Sequence, residues 1–127
     1  MAKHSRCIAM LAGVILVAVA VAAPVSAHHG WSEYQDDQFE ISGTLETPVS
    51  LAGPHATAQI EVGEQAWDLV FAPSPRTASA GLEEGTIPVG DEVTASGHRH
   101  VDAQVREIKV ERLTWNETLF NVYPDRN

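Results

Sequence analysis

A single cysteine, Cys7, stands in the 127 residues, and it precedes an apolar run near the start of the chain. Beyond that run no disulfide is available, so the fold must rest on a hydrophobic core. Cationic side chains are scarce as well. Eight Lys and Arg face seventeen Asp and Glu, for a formal net charge of −9. An acidic surface repels phosphate backbones, which argues against nucleic acid as a partner and for cations or a basic protein. No G-x-S-x-G elbow, phosphate loop or calcium-spaced loop occurs, and with them go the common hydrolase, nucleotide and calcium chemistries. The longest apolar run, Ile8 to Ala23, has 16 residues. That is short of the roughly 20 that a spanning helix needs.

The same run reads well as part of a secretory signal peptide. "MAKHSRC" supplies a basic head through Lys3 and Arg6, the apolar middle follows, and "PVSA" ends in small residues. Val25 and Ala27 occupy the −3 and −1 positions of a cut after Ala27, the small-x-small pattern of a processing site. The alternative is a retained anchor. Cleavage predicts a signal peptide at 1–27, an arm at 28–38 and a domain at 39–127, exported to a bacterial periplasm or secreted, with no stable membrane anchor. It removes Lys3 and Arg6, taking the formal charge from −9 to −11.

After the arm, apolar residues recur with period two. Phe39, Ile41, Gly43 and Leu45 share one face, with polar residues between them. Gly43 predicts a bulge or sharp coil in that strand. "ATAQIEV" (56–62) and "QAWDLVF" (65–71) flank Gly63-Glu64, which suits a tight hairpin. "SPRTASAG" predicts a short helix capped by Ser74, with Pro75 first, ending at Gly81 or Gly85. A strand follows from about Glu92 to His98, then one over 103–115 whose period slips near Glu107, then a short one in "TLFNVY". Strand, strand, strand, helix, strand, strand in about 100 residues predicts an all-β fold. The order fits a small five-stranded OB-like Greek-key barrel with one short helix between strands three and four, after a cleaved N-terminal signal helix. A flatter α+β sheet with one covering helix is the other reading.

The stretches "AHHGWSEY", Gly53-Pro54-His55, Trp67, "APSPR" to Gly81-Leu82, and "VGDEVTASG" (89–97) fall in a telling order. In this the chain resembles an uncharacterised family of small exported bacterial proteins. Their mature form begins with His-His, and they carry an Asn-Pro-His loop after the first strand. The resemblance implies an OB-like barrel and an exported protein, and it brings no activity with it. Gly53 stands where the family usually has Asn, so an amide role in that loop does not carry over.

The histidines carry the candidate chemistry. A cut after Ala27 leaves His28 with a free α-amine of pKa near 8, which a metal displaces readily. That amine and the His28 imidazole can chelate one ion, and His29 offers a second ring. Nitrogen ligands in a flat arrangement suit Cu(II). A third imidazole is required from the fold, and His55, stiffened by Pro54, is the first candidate. His98 and His100 are weaker ones. On a strand they face the same side, whereas if Gly97 ends the strand, as the crowding of turn residues favours, they lie on an exposed turn. For the arm, a solvated segment without metal is the competing reading.

Trp31 and Tyr34 are expected to anchor the arm over one end of the core, and Trp67 and Trp115 to pack in the core or at its rim. Glu83-Glu84 and Asp36-Asp37 read as solvated charge, and Arg76 as a surface residue at the helix start. The expected function is an exported, non-catalytic binding module, with copper as the sharpest ligand. The alternatives are an acidic OB-like module that engages a basic envelope protein, and a sugar- or small-ligand-binding domain, neither with metal.

Overall fold

The computed structural model describes residues 30–126. The expected signal peptide with Cys7, and His28 and His29, lie outside the described residues. Six strands and one helix follow in order: β1 (Phe39–Leu45), β2 (His55–Val62), β3 (Gln65–Pro73), α1 (Ser74–Ser79), β4 (Glu92–Arg99), β5 (Glu107–Trp115) and β6 (Thr118–Asn121).

The pairings close a five-stranded barrel. β1 runs antiparallel to β4 from Phe39–Gly97 to Thr44–Glu92, then meets β2 at Thr44–Glu61 and Leu45–Ile60. β2 and β3 form the hairpin around Gly63-Glu64, and β4 pairs antiparallel with β5. The ring closes where β3 meets β5 in parallel, Asp68–Glu107 to Val70–Lys109. This is the strand order of an OB-fold barrel, with α1 between the third and fourth strands. β6 extends β5 as a short antiparallel hairpin outside the ring. Among the described residues no helix is long and apolar enough to cross a membrane.

Alternation places the core inside. Ile60, Leu69, Phe71, Val93, Ile108 and Leu113 are all buried, contributed by four strands. Each such side chain stabilises the fold by about 1.5–3 kcal/mol relative to exposure. Gly43 marks where β1 leaves its long pairing with β4 and reaches β2. A Cβ there would stand 2.5 Å from the Glu61 carbonyl oxygen, so the close crossing admits only glycine. Trp67 is buried and stacks on Phe39 at 5.7 Å, under the Arg99 guanidinium. Trp115 sits at the rim, its indole N–H donating to Asp91.

Four local expectations are corrected. Ser74 does not cap α1; Pro73 holds the cap position, and the Ser74 hydroxyl donates instead to the Gly53 carbonyl at 2.7 Å. The end of α1, by contrast, is as expected: after six residues the chain is stopped at Gly81, whose φ of +92° lets the N–H groups of Gly81 and Leu82 reach back to the Ala78 and Thr77 carbonyls. β5 begins at Glu107 rather than near residue 103, because Asp102 accepts from the backbone N–H groups of Gln104 and Val105 and folds that stretch into a turn. The slip in β5 falls at Glu111, not Glu107: Ser96 faces Arg112 and Gly97 faces Val110, leaving Glu111 as the extra residue of a bulge. Nor does Gly97 end β4. The strand runs through it to Arg99, and a Cβ at Gly97 would lie 1.9 Å from the Lys109 carbonyl oxygen.

Candidate functional site

Opposite residues on paired strands share a face, so His98 of β4 and Lys109 of β5 stand together on the barrel's outer side. Outer positions are ordinarily wet. Here His98, Lys109 and Glu111 are 6%, 2% and 1% exposed. The cover comes from both ends of the described chain.

The arm docks first. Its backbone runs beside the end of β4, with the Gln35 N–H donating to the Arg99 carbonyl and the Val101 N–H to that of Glu33. Trp31 then lies edge-on to His98 at 5.5 Å and to Tyr123 at 5.0 Å, with the Lys109 ammonium 4.8 Å and the Arg126 guanidinium 3.7 Å from its ring centre. Cations over an indole face are attracted by its quadrupole. The tail is tied through the bulge: the Glu111 carbonyl accepts from the N–H groups of both Val122 and Tyr123.

Under this cover lies a buried ion pair. His98 donates from Nδ1 to the Gln35 carbonyl at 2.8 Å and from Nε2 to the Glu111 carboxylate at 2.7 Å. The Gln38 amide nitrogen also lies 3.1 Å from His98 Nε2. Gln38 and Arg126 also donate to Glu111, at 3.1 and 3.2 Å. Burial alone would raise the Glu111 pKa, but the hydrogen bonds from Gln38, His98 and Arg126 outweigh it and hold the carboxyl below its ordinary range. Both nitrogens of His98 are thus engaged by protein groups.

One residue pair further along the hairpin, a separate cleft of about 400 Å³ opens between the arm, the Gly53-Pro54-His55 loop and β5. Glu33, Tyr34, His55, His100, Glu107 and Lys109 line it. His55 donates from Nδ1 to the Phe71 carbonyl at 3.1 Å. That leaves Nε2 with the lone pair, the arrangement in which a backbone carbonyl orients a metal-binding imidazole. His100 is held the opposite way, its Nδ1 accepting from the Asp102 N–H at 3.0 Å, with its ring 5.8 Å from that of Tyr34. The Tyr34 hydroxyl donates to Glu107 at 2.5 Å. Burial, then the Glu107 acceptor and its charge, push the phenol well above its usual range, so it stays neutral. Burial first, and then Arg126, lower the Lys109 pKa against the opposing pull of Glu107 and Glu33.

The structure therefore brings His55 and His100 to one cleft and sets His98 in the ion pair beside it. Among the described residues no group of three His, Cys, Asp or Glu side chains is placed to hold a metal ion. Glu111 and Lys109 carry no binding signal in the sequence. Their polar identity at outer strand positions predicts solvent exposure, and only the docking of arm and tail reverses it. Arg76, expected at the surface, pairs with Asp125 of the tail at 3.1 Å.

A family model matches residues 15–109, a span that holds the arm, the His55 loop and the β4 histidines. The chain belongs to the family of unknown function DUF6152. No curated protein matches it. Among solved structures, this DUF6152 chain is similar at 10% identity to a chain of the S. pombe Stn1–Ten1 complex, with a TM-score of 0.49 over 64% of its own length and 59% of that chain. It is similar at 15% identity to apo TiaS, a tRNAIle2 agmatidine synthetase, with a TM-score of 0.47 over 61% of its length. A tRNA fluorescent labeling enzyme overlaps at 16% identity and a TM-score of 0.47 over 64%. The chain spans 18% of each of these two tRNA-enzyme chains. The barrel assignment rests on the strand pairings, not on these overlaps.

Proposed function

We propose that this DUF6152 protein is an exported, non-catalytic binding module that takes up Cu(II) in the cleft between arm and barrel. The ligands in this reading are the amine and imidazole of His28 at the mature N-terminus, with His29 adjacent, and Nε2 of His55. The observation that carries it is the His55 ring, oriented through Nδ1 by the Phe71 carbonyl in a cleft whose rim is the docked arm. Trp31 touches Lys109, a residue of that cleft, and His28 precedes Trp31 by three positions. Three peptide units reach at most about 11 Å. Glu33 and Glu107 add negative charge that favours a cation.

Mass spectrometry of the exported protein tests the premise: the mature chain begins at His28. Copper titration then gives a visible d–d band that His55→Ala weakens at least tenfold, and an extra residue before His28 does the same. A mature chain with another first residue, or equal binding by both variants, sinks the reading.

A second reading is an acidic module that engages a basic envelope protein or a small ligand without metal. A depression of about 570 Å³ favours it, apolar through Val49, Leu69 and Val70 and rimmed by Asp68, Glu84 and Glu107. Salt-sensitive binding of a lysine-rich peptide, unaffected by His55→Ala, distinguishes it from the copper reading.

A further inference from the structure

The depression on the outer face of β2, β3 and β5 holds like charges side by side. Where the ring closes, Asp68 of β3 is the direct partner of Glu107 of β5, and Val70 is that of Lys109. Partners on paired strands share a face about 4.8 Å apart, so the two carboxylates stand together. Like charges facing each other across a pair cost stability. Their described hydrogen bonds come from neutral groups, the Gln59 amide at 3.0 Å for Asp68 and the Tyr34 hydroxyl for Glu107. Val49 and Val70 make the wall beside them apolar, and Glu84 adds a third carboxylate. Among the described residues, no lysine or arginine lines the depression. Lys109 lines only the neighbouring cleft, where it is 2% exposed under Trp31 and Tyr34. Thr57, Val70 and Glu107 line both hollows, so the two adjoin.

We propose, resting on the second reading above, that the depression seats a lysine side chain carried by an extended segment of a partner protein. Its ammonium lies between Asp68 and Glu107, and its alkyl stem lies along Val70. The charge of the ammonium relieves the repulsion between the facing carboxylates, and a four-carbon stem matches the apolar wall. A hollow of about 570 Å³ that continues into a second one holds more than a single side chain, so a stretch of backbone fits with it. That continuity favours a protein segment over a free polyamine, which shares the charge and has no further side chains to place.

Calorimetric titration of the whole protein with capped pentalysine, with its Nε-acetylated form and with spermidine tests this. Pentalysine binds and moves the backbone amide signals of Asp68, Val70 and Glu107. The acetylated form keeps the stem and loses the charge, and spermidine keeps the charge without the chain; both bind more weakly. Asp68→Asn keeps an oxygen for the Gln59 amide and weakens pentalysine about fivefold, the upper range for an exposed ion pair. The same variant raises the urea midpoint, because the facing charges no longer repel. Glu117→Gln removes a charge from the β5–β6 turn, outside the depression, and is expected to change pentalysine affinity by less than about twofold at the same salt. Equal losses in the two variants overturn the inference and leave the second reading intact, with the peptide held by the acidic surface at large. A lower urea midpoint in Asp68→Asn marks a structural residue and overturns it too. Spermidine that binds as tightly as the peptide replaces the protein segment with a small cation. Failure of the parent protein to bind pentalysine removes the basic partner of the second reading as well.

Discussion

Two single positions control the outer face. Gly97 lets β4 pass so near β5 that any Cβ would overlap the Lys109 carbonyl, backbone that cannot swing aside. Gly97→Ala is therefore expected to cost about 3 kcal/mol or more, read by urea denaturation, where an ordinary strand glycine gains from the same change. Glu111 is the second. It is buried with His98, Gln38 and Arg126 as its partners. Glu111→Gln takes the buried carboxylate away from His98, Arg126 and Arg112 and is expected to destabilise by about 3 kcal/mol. The pH dependence follows from the direction of its shift. The folded carboxyl is held below its ordinary value of 4.5, so its contribution is complete above that pH and is lost as acid protonates the folded form. Denaturation midpoints measured from pH 6 down to 3 fall steeply in the parent protein and more gently in Glu111→Gln. Parallel slopes would show that Glu111 is not the group responsible.

The arm, the β5 bulge and the tail act together. A regular β5 would turn Glu111 and Arg112 to opposite faces. The bulge puts both outward, where their side chains meet at 3.4 Å, and frees the Glu111 carbonyl to bind the tail. Trp31 then bridges arm and tail through Arg126 and Tyr123. Trp31→Ala is expected to loosen the arm by about 2 kcal/mol, less than the full loss of a buried aromatic because the ring is half-buried. Hydrogen exchange should quicken at the amides of Gln35 and Val101 while those of β2 and β3 keep their protection. Exchange that quickens uniformly would place Trp31 in the global core instead. The strands themselves were legible, because period-two alternation survives in β1 through β4. The bulge position was not: "VREIKVER" allows the slip at more than one residue, and pairing with β4 decides which. Likewise Ser74 has the residue type of a cap, but the neighbouring Gly53 carbonyl competes for its hydroxyl and wins.

Considered entire, the protein is an acidic barrel without disulfides in its described part, and its stability should reflect that charge. Raising ionic strength from 0.01 to 0.15 M shortens the screening length from about 30 to about 8 Å and weakens self-repulsion. The melting temperature is expected to rise by a few degrees, measured by calorimetry; a fall would mean that favourable ion pairs such as His98–Glu111 dominate the net electrostatics. The copper site proposed above would supply a second, independent lever. A ligand that binds only the folded state at a hundredfold over its Kd adds about 2.7 kcal/mol. In a domain of this size that is about 10 °C or more of melting temperature, and it should vanish in His55→Ala.

Composition and periodicity pointed to the barrel, since alternation, turn residues and linker lengths are local properties, but a flatter sheet fitted them too, and the β3–β5 pairing that closes the ring decided between the two. They also drew attention to the histidines. Where His55, His98 and His100 sit, and what each bonds, was decided only by folding. His98 and His100 are two positions apart on one strand, with the same intrinsic chemistry, yet one is enclosed by the arm and paired with a carboxylate while the other takes a backbone N–H and faces an open cleft. A side chain's protonation and partners depend on groups far away in the chain, Gln35 and Glu111 for the one and a turn at Asp102 for the other, and no local pattern encodes those meetings.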